Sequence, residues 1–400
     1  MLELNKLAER VEAMGRCLAQ RQEDLQERLA HARELLGRHS LVTEALREKI
    51  ARARAIDEWR RGALPLAAHL NERRIPPPLT SPVTLIAVDG SQIYPDRHGI
   101  ATYYLLNIGS IVLRLGSGQA PTVSTIPELF FDDRDLFDPD GQLRPPEYIN
   151  AQRSRREIAI LADLAEAERS RTGGDPALPI IAMVDGPLLP WMRQDAEEGE
   201  ALTEEVDFFV HQMQRLRRAH AVPVGYVDRP GSAYVLRILE LLELSAEEIS
   251  RETLRQGRFR QLTDRLLFNN LAPNERSALF TSNSDANDRY EQASGGDRIA
   301  FVYVNVARRP GPSNSIIVRL EVPGWVAAQP ELLDIAQAAI YANCEPTGYP
   351  YVLTRAHELA LVGQAERADL EAMLFQAMLR NHLIPTVSPK AQSKFLTARR

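Results

Sequence analysis

Two short apolar runs, each followed by Asp-Gly, place the strongest constraint on this chain. The first covers 83–88 and leads into Asp89, and the second covers 178–184 and leads into Asp185. An apolar run of this length that is bounded by turn residues predicts a buried β-strand. A third such run covers 222–227. The chain is therefore expected to build an internal sheet, with Asp89 and Asp185 at the ends of two of its strands.

The segments around these runs predict how the sheet is completed. The stretches 100–106 and 110–115 read as two strands joined by an Asn-Ile-Gly turn at 107–109, and 121–126 is a further candidate strand. Further on, the patterns predict helices over 147–171, 197–220 and 330–343 and strands over 299–306 and 315–322. The order strand, meander, helix, strand, helix, strand predicts an α/β fold with a mixed sheet.

The first 60 residues have a helical pattern with apolar side chains at heptad spacing. These are Leu4, Leu7, Val11, Met14, Leu18 and Leu25. Gly37 is a candidate turn between two helices. Two interpretations stay open: a helical brace on the chain's own domain, or a contact with a second copy or another partner.

Proline marks the end of this helical region. The segment 74–78 reads Arg-Ile-Pro-Pro-Pro and predicts a linker. We therefore expect a helical extension with its linker over 1–75 and a main domain over 76–400. A basic stretch over 388–400 is expected to form a flexible tail.

Composition excludes several classes of protein. Lysine occurs only at Lys6, Lys49, Lys390 and Lys394, and its absence from 50–389 removes mechanisms that need a catalytic lysine there, such as a P-loop. The two cysteines, Cys17 and Cys344, form no CxxC motif, so a zinc knuckle is not expected and a reducing, cytoplasmic setting fits. Neither a signal-peptide pattern nor a run of eighteen apolar residues predicts secretion or membrane insertion.

The candidate chemistry centres on carboxylates. Asp89 and Asp185 are expected on neighbouring strands, and two carboxylates held together repel each other unless a cation lies between them. Oxygen ligands without cysteine favour hard ions such as Mg²⁺ or Mn²⁺. The alternative is that each Asp forms a turn or caps a helix. Glu157 could point from its helix into the same site or lie on the surface, and His357 could bind metal, move a proton or be structural.

Four motifs in order carry a family resemblance. They are V-D-G-S-Q at 88–92, M-V-D-G-P-L at 183–188, G-Y-V-D-R-P at 225–230 and Y-P-Y-V-L-T-R-A-H-E-L-A at 349–360. Together they resemble the NurA family of DNA-end-processing nucleases over about 80–365. The resemblance implies a ribonuclease-H-like mixed sheet flanked by helices. It also implies a Mn²⁺- or Mg²⁺-dependent nuclease that forms a homodimer and works with a HerA-type hexameric ATPase in double-strand-break repair.

The resemblance also implies roles for particular residues. The family's metal-binding aspartates match Asp89 and Asp185, its helix glutamate matches Glu157, and its histidine matches His357. Many members carry a basic residue after the third core strand, where this chain has Asp228 and then Arg229. Arg229 would therefore take the basic role.

Beyond the family motifs, residue type alone suggests further DNA contacts. Arg276 is a candidate for the DNA backbone, and Trp325, Tyr349 or Tyr351 are candidates for stacking on bases. Core packing explains each of the aromatic residues equally well.

Two other classes of function stay open. A non-catalytic adaptor of the same fold could dock on an ATPase ring through the heptad-bearing N-terminus. An actin-like ATPase would also place Asp-Gly at strand ends, although no glycine loop for adenosine is recognisable.

Overall fold

The computed structural model describes residues 4–57, 62–97, 99–189 and 200–383. Within these ranges the chain forms eleven strands and thirteen α-helices, preceded by a 3₁₀ turn at Leu4–Leu7. The strands are β1 Ala63–Pro65, β2 Arg73–Arg74, β3 Val83–Ile93, β4 Tyr104–Leu115, β5 Thr122–Phe130, β6 Ile180–Asp185, β7 Ala221–Val227, β8 Arg276–Ser277, β9 Phe280–Ser282, β10 Ile299–Asn305 and β11 Ile317–Pro323. The helices are α1 Ala8–Arg38, α2 Glu44–Ile56, α3 Asp133–Leu136, α4 Pro146–Arg171, α5 Glu200–Arg218, α6 Tyr234–Leu242, α7 Arg251–Arg255, α8 Asp264–Leu267, α9 Asp285–Ser294, α10 Gly324–Ala327, α11 Pro330–Asn343, α12 Tyr351–Ala360 and α13 Gln364–Arg380.

The chain divides into two compact units, and each is built from separate stretches of sequence. The first unit takes the described residues among 1–79, 186–202 and 224–348. The second unit takes those among 80–185, 203–223 and 349–400. The break at residue 79 lies close to the predicted linker, and the N-terminal helices share their unit with 224–348. The predicted basic tail, 388–400, lies outside the described residues.

The second unit contains the predicted mixed sheet. Its strands lie in the order β6-β3-β4-β5. β3 pairs antiparallel with β4 and parallel with β6, and β4 pairs antiparallel with β5. The helix α4 lies between β5 and β6 in the chain and packs on β3 and β6. This arrangement confirms the expected α/β fold, a ribonuclease-H-like mixed sheet flanked by helices.

Two local predictions about this sheet were wrong. β3 does not end at Asp89 but continues to Ile93, because its antiparallel partner β4 pairs with it as far as Leu105. The predicted turn at 107–109 lies inside β4, which is one continuous strand of 12 residues.

The C-terminal helix α13 completes the second unit. An apolar patch that joins β3, the start of β4 and α13 is made by Ile93, Tyr103, Leu105, Val362, Leu370 and Leu374. Apolar side chains on the rest of α13 remain exposed, including Met373 at 68%.

The first unit carries strands in the order β1-β9-β10-β11-β7, with β8 pairing with β10 and β2. Its core joins the second half of α1 to α2, α6 and β10 through Ala32, Leu35, Leu46, Leu239 and Phe301. The heptad residues at the start of α1 are exposed, with Val11 and Met14 each at 61%. The brace interpretation therefore fits the second half of α1. No helix among the described residues is long and apolar enough to span a membrane.

Candidate active site

The two predicted aspartates lie at the same level of the sheet in the second unit. The last paired residues of the parallel strands β3 and β6 are Val88 and Val184, so Asp89 and Asp185 follow at matching positions. Neighbouring strands are about 4.8 Å apart, and side chains at matching positions point to the same face. Asp89 is partly buried and Asp185 is exposed. The sheet itself therefore brings these two carboxylates together, as the sequence predicted.

Glu157 reaches the same place from helix α4. The residue beside Asp89 is Gly90, and a Cβ there would lie 2.7 Å from Glu157 Oε1 and 2.8 Å from Arg153 Cγ. Only glycine leaves room for both side chains against the strand. The glycine of the first Asp-Gly motif thus admits the third carboxylate rather than forming a turn.

Burial and charge combine to make Glu157 an unusual carboxyl group. Its pKa is raised to about 8, chiefly by burial and also by the nearby Asp89 and Asp185, against the opposing effects of Arg153 and the Gly90 amide. Its Oε1 atom is buried without a hydrogen-bond partner. The nearest counter-charge is Arg153 Nε at 3.2 Å. A strongly shifted carboxyl group beside two aspartates is typical of a functional site.

His357 joins the site from helix α12. Its Nδ1 lies 2.7 Å from Asp89 Oδ2, while the other Asp89 oxygen accepts a hydrogen bond from the Gly90 amide at 2.8 Å. The imidazole is 59% exposed. A carboxylate that accepts from Nδ1–H fixes the ring orientation and leaves Nε2 for chemistry.

The Asn-Ile-Gly segment inside β4 holds α12 in place. Asn107 Nδ2 donates to the Ala360 carbonyl at 2.8 Å, and Ser91 Oγ donates to the same carbonyl. A Cβ at Gly109 would lie 2.5 Å from the Ala360 amide nitrogen and closer still to the Ala356 carbonyl oxygen. Helix backbone and strand backbone therefore touch at Gly109, and this close packing places α12 where His357 reaches Asp89.

The residues predicted to contact DNA lie in different surroundings. Arg229, in the first unit, has a side chain that is 81% exposed and a left-handed backbone with φ 46°. Arg276 is buried at 5%, with Nη1 2.6 Å from Asp334 Oδ1 and 2.7 Å from Gln337 Oε1. This burial does not fit the predicted phosphate contact, because the guanidinium is already used inside the first unit.

The aromatic residues predicted to stack on bases also lie in different units. Trp325 lies partly buried on α10 of the first unit, and Tyr349 lies partly buried just before α12 of the second. Tyr351 opens α12 and is 40% exposed. Tyr349 and Tyr351 thus belong to the segment that leads into His357.

The side chains at this site have the chemistry to bind a hard divalent cation. Among the described residues, no three or more His, Cys, Asp or Glu side chains are already arranged around a metal position. However, Asp89, Asp185 and Glu157 offer only oxygen ligands, and the buried Oε1 of Glu157 lacks a hydrogen bond. A cation between these groups would offset their mutual repulsion, so the residues fit Mg²⁺ or Mn²⁺.

Sequence reasoning missed several residues that shape the site. Arg153 pairs with Glu157, and its Nη1 donates to Gln92 Oε1 at 2.9 Å. Asn107 and Gly109 have the composition of a turn, which gives no indication of their contacts with α12. The spacing of Arg153 and Glu157, one helical turn apart, could have revealed their pairing, but the contacts of Gln92 and Asn107 join residues far apart in sequence.

The fold and site together define a class of protein: an α/β protein with a cluster of carboxylates beside two neighbouring parallel strands, β3 and β6, of a mixed sheet. The chain belongs to the NurA family, since the family model described as NurA domain matches residues 83–362. The match contains the three carboxylates Asp89, Glu157 and Asp185 together with His357, and it confirms the resemblance found in the sequence motifs.

Two solved structures are also similar to this chain. The NurA nuclease from Sulfolobus solfataricus is 11% identical, with 84% of this chain and 92% of that chain covered and a TM-score of 0.47. The catalytic domain of human endonuclease V is 13% identical, with 74% and 85% covered and a TM-score of 0.31. No curated protein matches the sequence.

Proposed function

We propose that this protein is a metal-dependent deoxyribonuclease that processes DNA ends. One observation carries the proposal: Asp89 and Asp185 lie at one level of the sheet, and the pKa of Glu157 is raised to about 8 by burial beside them. Membership of the NurA family supports the same reaction class. The substrate would be single-stranded DNA or the ends of a duplex.

Asp89, Asp185 and Glu157 would hold Mn²⁺ or Mg²⁺. Such an ion supplies an activated water and stabilises the charge that develops on the phosphodiester. The protein's part is to hold three carboxylates on rigid elements, two on strands and one on a helix. Rigid placement lowers the cost of assembling the site when substrate arrives.

His357 would transfer a proton at the same site. Its Nδ1–H donates to Asp89 Oδ2, so Nε2 faces outward from an exposed ring and can accept a proton or give one to the leaving oxygen. Asp89 holds the ring in this tautomer. The pair would therefore couple metal binding and proton transfer through one carboxylate.

Family membership also supports proposals about partners. We propose a homodimer that works with a HerA-type hexameric ATPase in double-strand-break repair. The exposed Arg229 would contact DNA phosphates, and Tyr349 or Tyr351 would stack on bases near the site. The exposed heptad face at the start of α1 favours an additional docking role, as in the adaptor hypothesis.

The proposal is tested by comparing wild type, Asp89→Ala and Asp163→Ala on single-stranded DNA with Mn²⁺. Asp163 lies in the same unit, is 62% exposed and pairs with Arg215, so it is a matched acidic control. Asp89→Ala is expected to abolish cleavage while Asp163→Ala retains it. Cleavage at the wild-type rate by folded Asp89→Ala would refute the mechanism. Wild type that binds no Mn²⁺ in calorimetry but associates with the ATPase would favour the adaptor.

A further inference from the structure

Arg153 lies beside the acidic cluster formed by Asp89, Glu157 and Asp185 but takes no part in the proposed reaction. It is on α4 one turn before Glu157, and its Nε is 3.2 Å from Glu157 Oε1. Gly90 leaves room for both side chains, since a Cβ there would lie 2.8 Å from Arg153 Cγ. Its side chain remains 31% exposed. The guanidinium therefore reaches both the buried carboxylate and the solvent.

The contact between Arg153 and Glu157 is close but incomplete. The two facing atoms, Arg153 Nε and Glu157 Oε1, are both buried, and neither has a hydrogen-bond partner. Buried polar atoms without hydrogen bonds cost free energy, and a buried ion pair is stabilising only when its geometry is good. The two side chains are therefore in contact without a hydrogen bond between the facing atoms that would fix their geometry.

The far end of the guanidinium is held by neutral groups. Arg153 Nη1 donates to Gln92 Oε1 at 2.9 Å, Gln92 Nε2 donates to Tyr94 Oη at 2.8 Å, and Tyr94 Oη donates to Asn150 Oδ1 at 2.7 Å. This chain of hydrogen bonds orients the side chain but supplies no second negative charge. Glu157 is thus the carboxyl group that Arg153 contacts, and a cation bound by Glu157 would free the guanidinium for another partner.

Two neighbouring arginines on α4 show the contrast. Arg155 Nη1 donates to Glu205 at 2.9 Å and its guanidinium lies 4.2 Å from the centre of the Phe208 ring. Arg156 Nε donates to Glu128 at 2.7 Å in a two-bond pair. Each of these has a well-bonded carboxylate away from the acidic cluster. Arg153 differs in both the quality and the location of its pairing.

We propose that Arg153 exchanges partners: it contacts Glu157 until a divalent cation binds that carboxyl group, and it then contacts a phosphate of the DNA strand. This inference rests on the proposed function. An arginine fork suits two phosphate oxygens, so the released guanidinium would position the strand over the carboxylates. The exchange predicts that Arg153 opposes metal binding and assists DNA binding.

The first test measures Mn²⁺ binding to the full-length protein by calorimetry without DNA. Arg153→Gln is expected to bind Mn²⁺ about 3- to 10-fold more tightly than wild type, because a nearby positive charge has been removed. Arg156→Gln removes the same charge from the same helix and is expected to leave Mn²⁺ affinity within about twofold. Weaker Mn²⁺ binding by Arg153→Gln would mean that Arg153 only holds Glu157 in place, and would overturn the exchange.

The second test measures the anisotropy of a fluorescein-labelled single-stranded oligonucleotide, with EDTA or with Ca²⁺ as a hard cation. With Ca²⁺, Arg153→Gln is expected to bind DNA about 10-fold more weakly than Arg156→Gln, since a charge-assisted phosphate contact is lost. With EDTA, the two variants are expected to agree within about twofold. Equal DNA affinities with Ca²⁺ would also overturn the exchange.

The design separates the two levels of the proposal. Wild type that binds no Mn²⁺ would refute both the metal-dependent function and the exchange. Wild type that binds Mn²⁺, together with unchanged or weaker binding by Arg153→Gln, would refute the exchange alone. If Arg153→Gln fails to fold, Arg153→Met keeps the aliphatic packing beside Gly90, and the same changes in Mn²⁺ and DNA affinity are expected of it.

Discussion

Two of the glutamates on helix α4 have opposite environments: Glu157 near its middle and Glu168 in its last turn. Glu168 is 3% exposed, and both of its oxygens accept hydrogen bonds from Arg114 and Arg171 at 2.8–2.9 Å. Burial raises the pKa of Glu168, but the hydrogen bonds from these two arginines outweigh it and hold the pKa at about 2. Glu157 has one poorly bonded arginine, and its pKa is about 8.

In our proposal, this difference separates a structural carboxylate, Glu168, from the metal-binding carboxylate, Glu157. At Glu168 the charge is fully paired, so the group fastens α4 to β4 through Arg114. At Glu157 a negative charge would face two aspartates and one oxygen is buried without a hydrogen bond, so the group keeps its proton at neutral pH unless a cation binds there. A buried polar group that the fold leaves unsatisfied is where a ligand is expected.

The largest expected effect is on cleavage, and it tests the functional half of this comparison. Glu157→Gln is expected to lower the rate of Mn²⁺-dependent DNA cleavage about 10³-fold, since several kcal/mol of transition-state stabilisation depend on the ion that it helps to hold. Glu168→Gln is expected to cleave at the wild-type rate per folded molecule. Equal losses in the two variants would show that both glutamates act through the fold.

A second prediction disturbs the site without touching either glutamate. Gly109→Ala is expected to lower cleavage about 10²-fold, because the new methyl group meets the backbone of α12 and shifts His357 away from Asp89. The measurement is the cleavage rate with Mn²⁺ for variants that retain their circular dichroism. Gly37→Ala, in a helix with no neighbour within 4 Å of a Cβ, is the control and should have no effect. A wild-type rate for Gly109→Ala would argue against a role for the position of α12.

A third prediction concerns stability and reverses the order of the two glutamates. Glu168→Gln is expected to lower the free energy of unfolding by about 2–3 kcal/mol, since it leaves two arginines without their carboxylate; half-exposure of Arg171 reduces the loss. Glu157→Gln is expected to change it by less than about 1 kcal/mol or to raise it, because glutamine resembles the protonated carboxyl group that the raised pKa favours at neutral pH. Urea denaturation measures both. A larger loss in Glu157→Gln would break the comparison.

The smallest effect is a dependence on pH. Because the pKa of Glu168 is lower in the folded chain than its ordinary value of 4.5, its stabilising contribution is complete above pH 4.5 and is lost as the pH falls toward 2. Glu168→Gln should therefore unfold with a shallower dependence on pH over this range. A variant with the same acid dependence as wild type would show that other carboxylates dominate.

The sequence predicted the parts of the site that local patterns encode. Apolar runs predicted β3, β6 and β7, and the repeated Asp-Gly motif predicted that Asp89 and Asp185 meet. The positions of Glu157 and His357 at the site also agree with the roles implied by the family resemblance. These residues either follow strands or belong to ordered motifs, so short stretches of sequence carry the information.

The remaining details depend on contacts between distant segments. Asn107-Ile108-Gly109 has turn composition, yet it lies inside β4, because the glycine admits the backbone of α12 and the asparagine binds its carbonyls. Arg276 has the chemistry of a DNA contact but pairs with Asp334 in the first unit. Composition alone does not distinguish these uses, since the partners lie elsewhere in the chain.

The most direct measurement is an anomalous diffraction map of crystals grown with Mn²⁺. The central claim is that Asp89, Asp185 and Glu157 form the cation site of a nuclease. It predicts an anomalous peak within bonding distance, about 2.0–2.3 Å, of oxygens from these three residues. An anomalous peak bound by other residues, or an empty cluster at a Mn²⁺ concentration that supports cleavage, would contradict it.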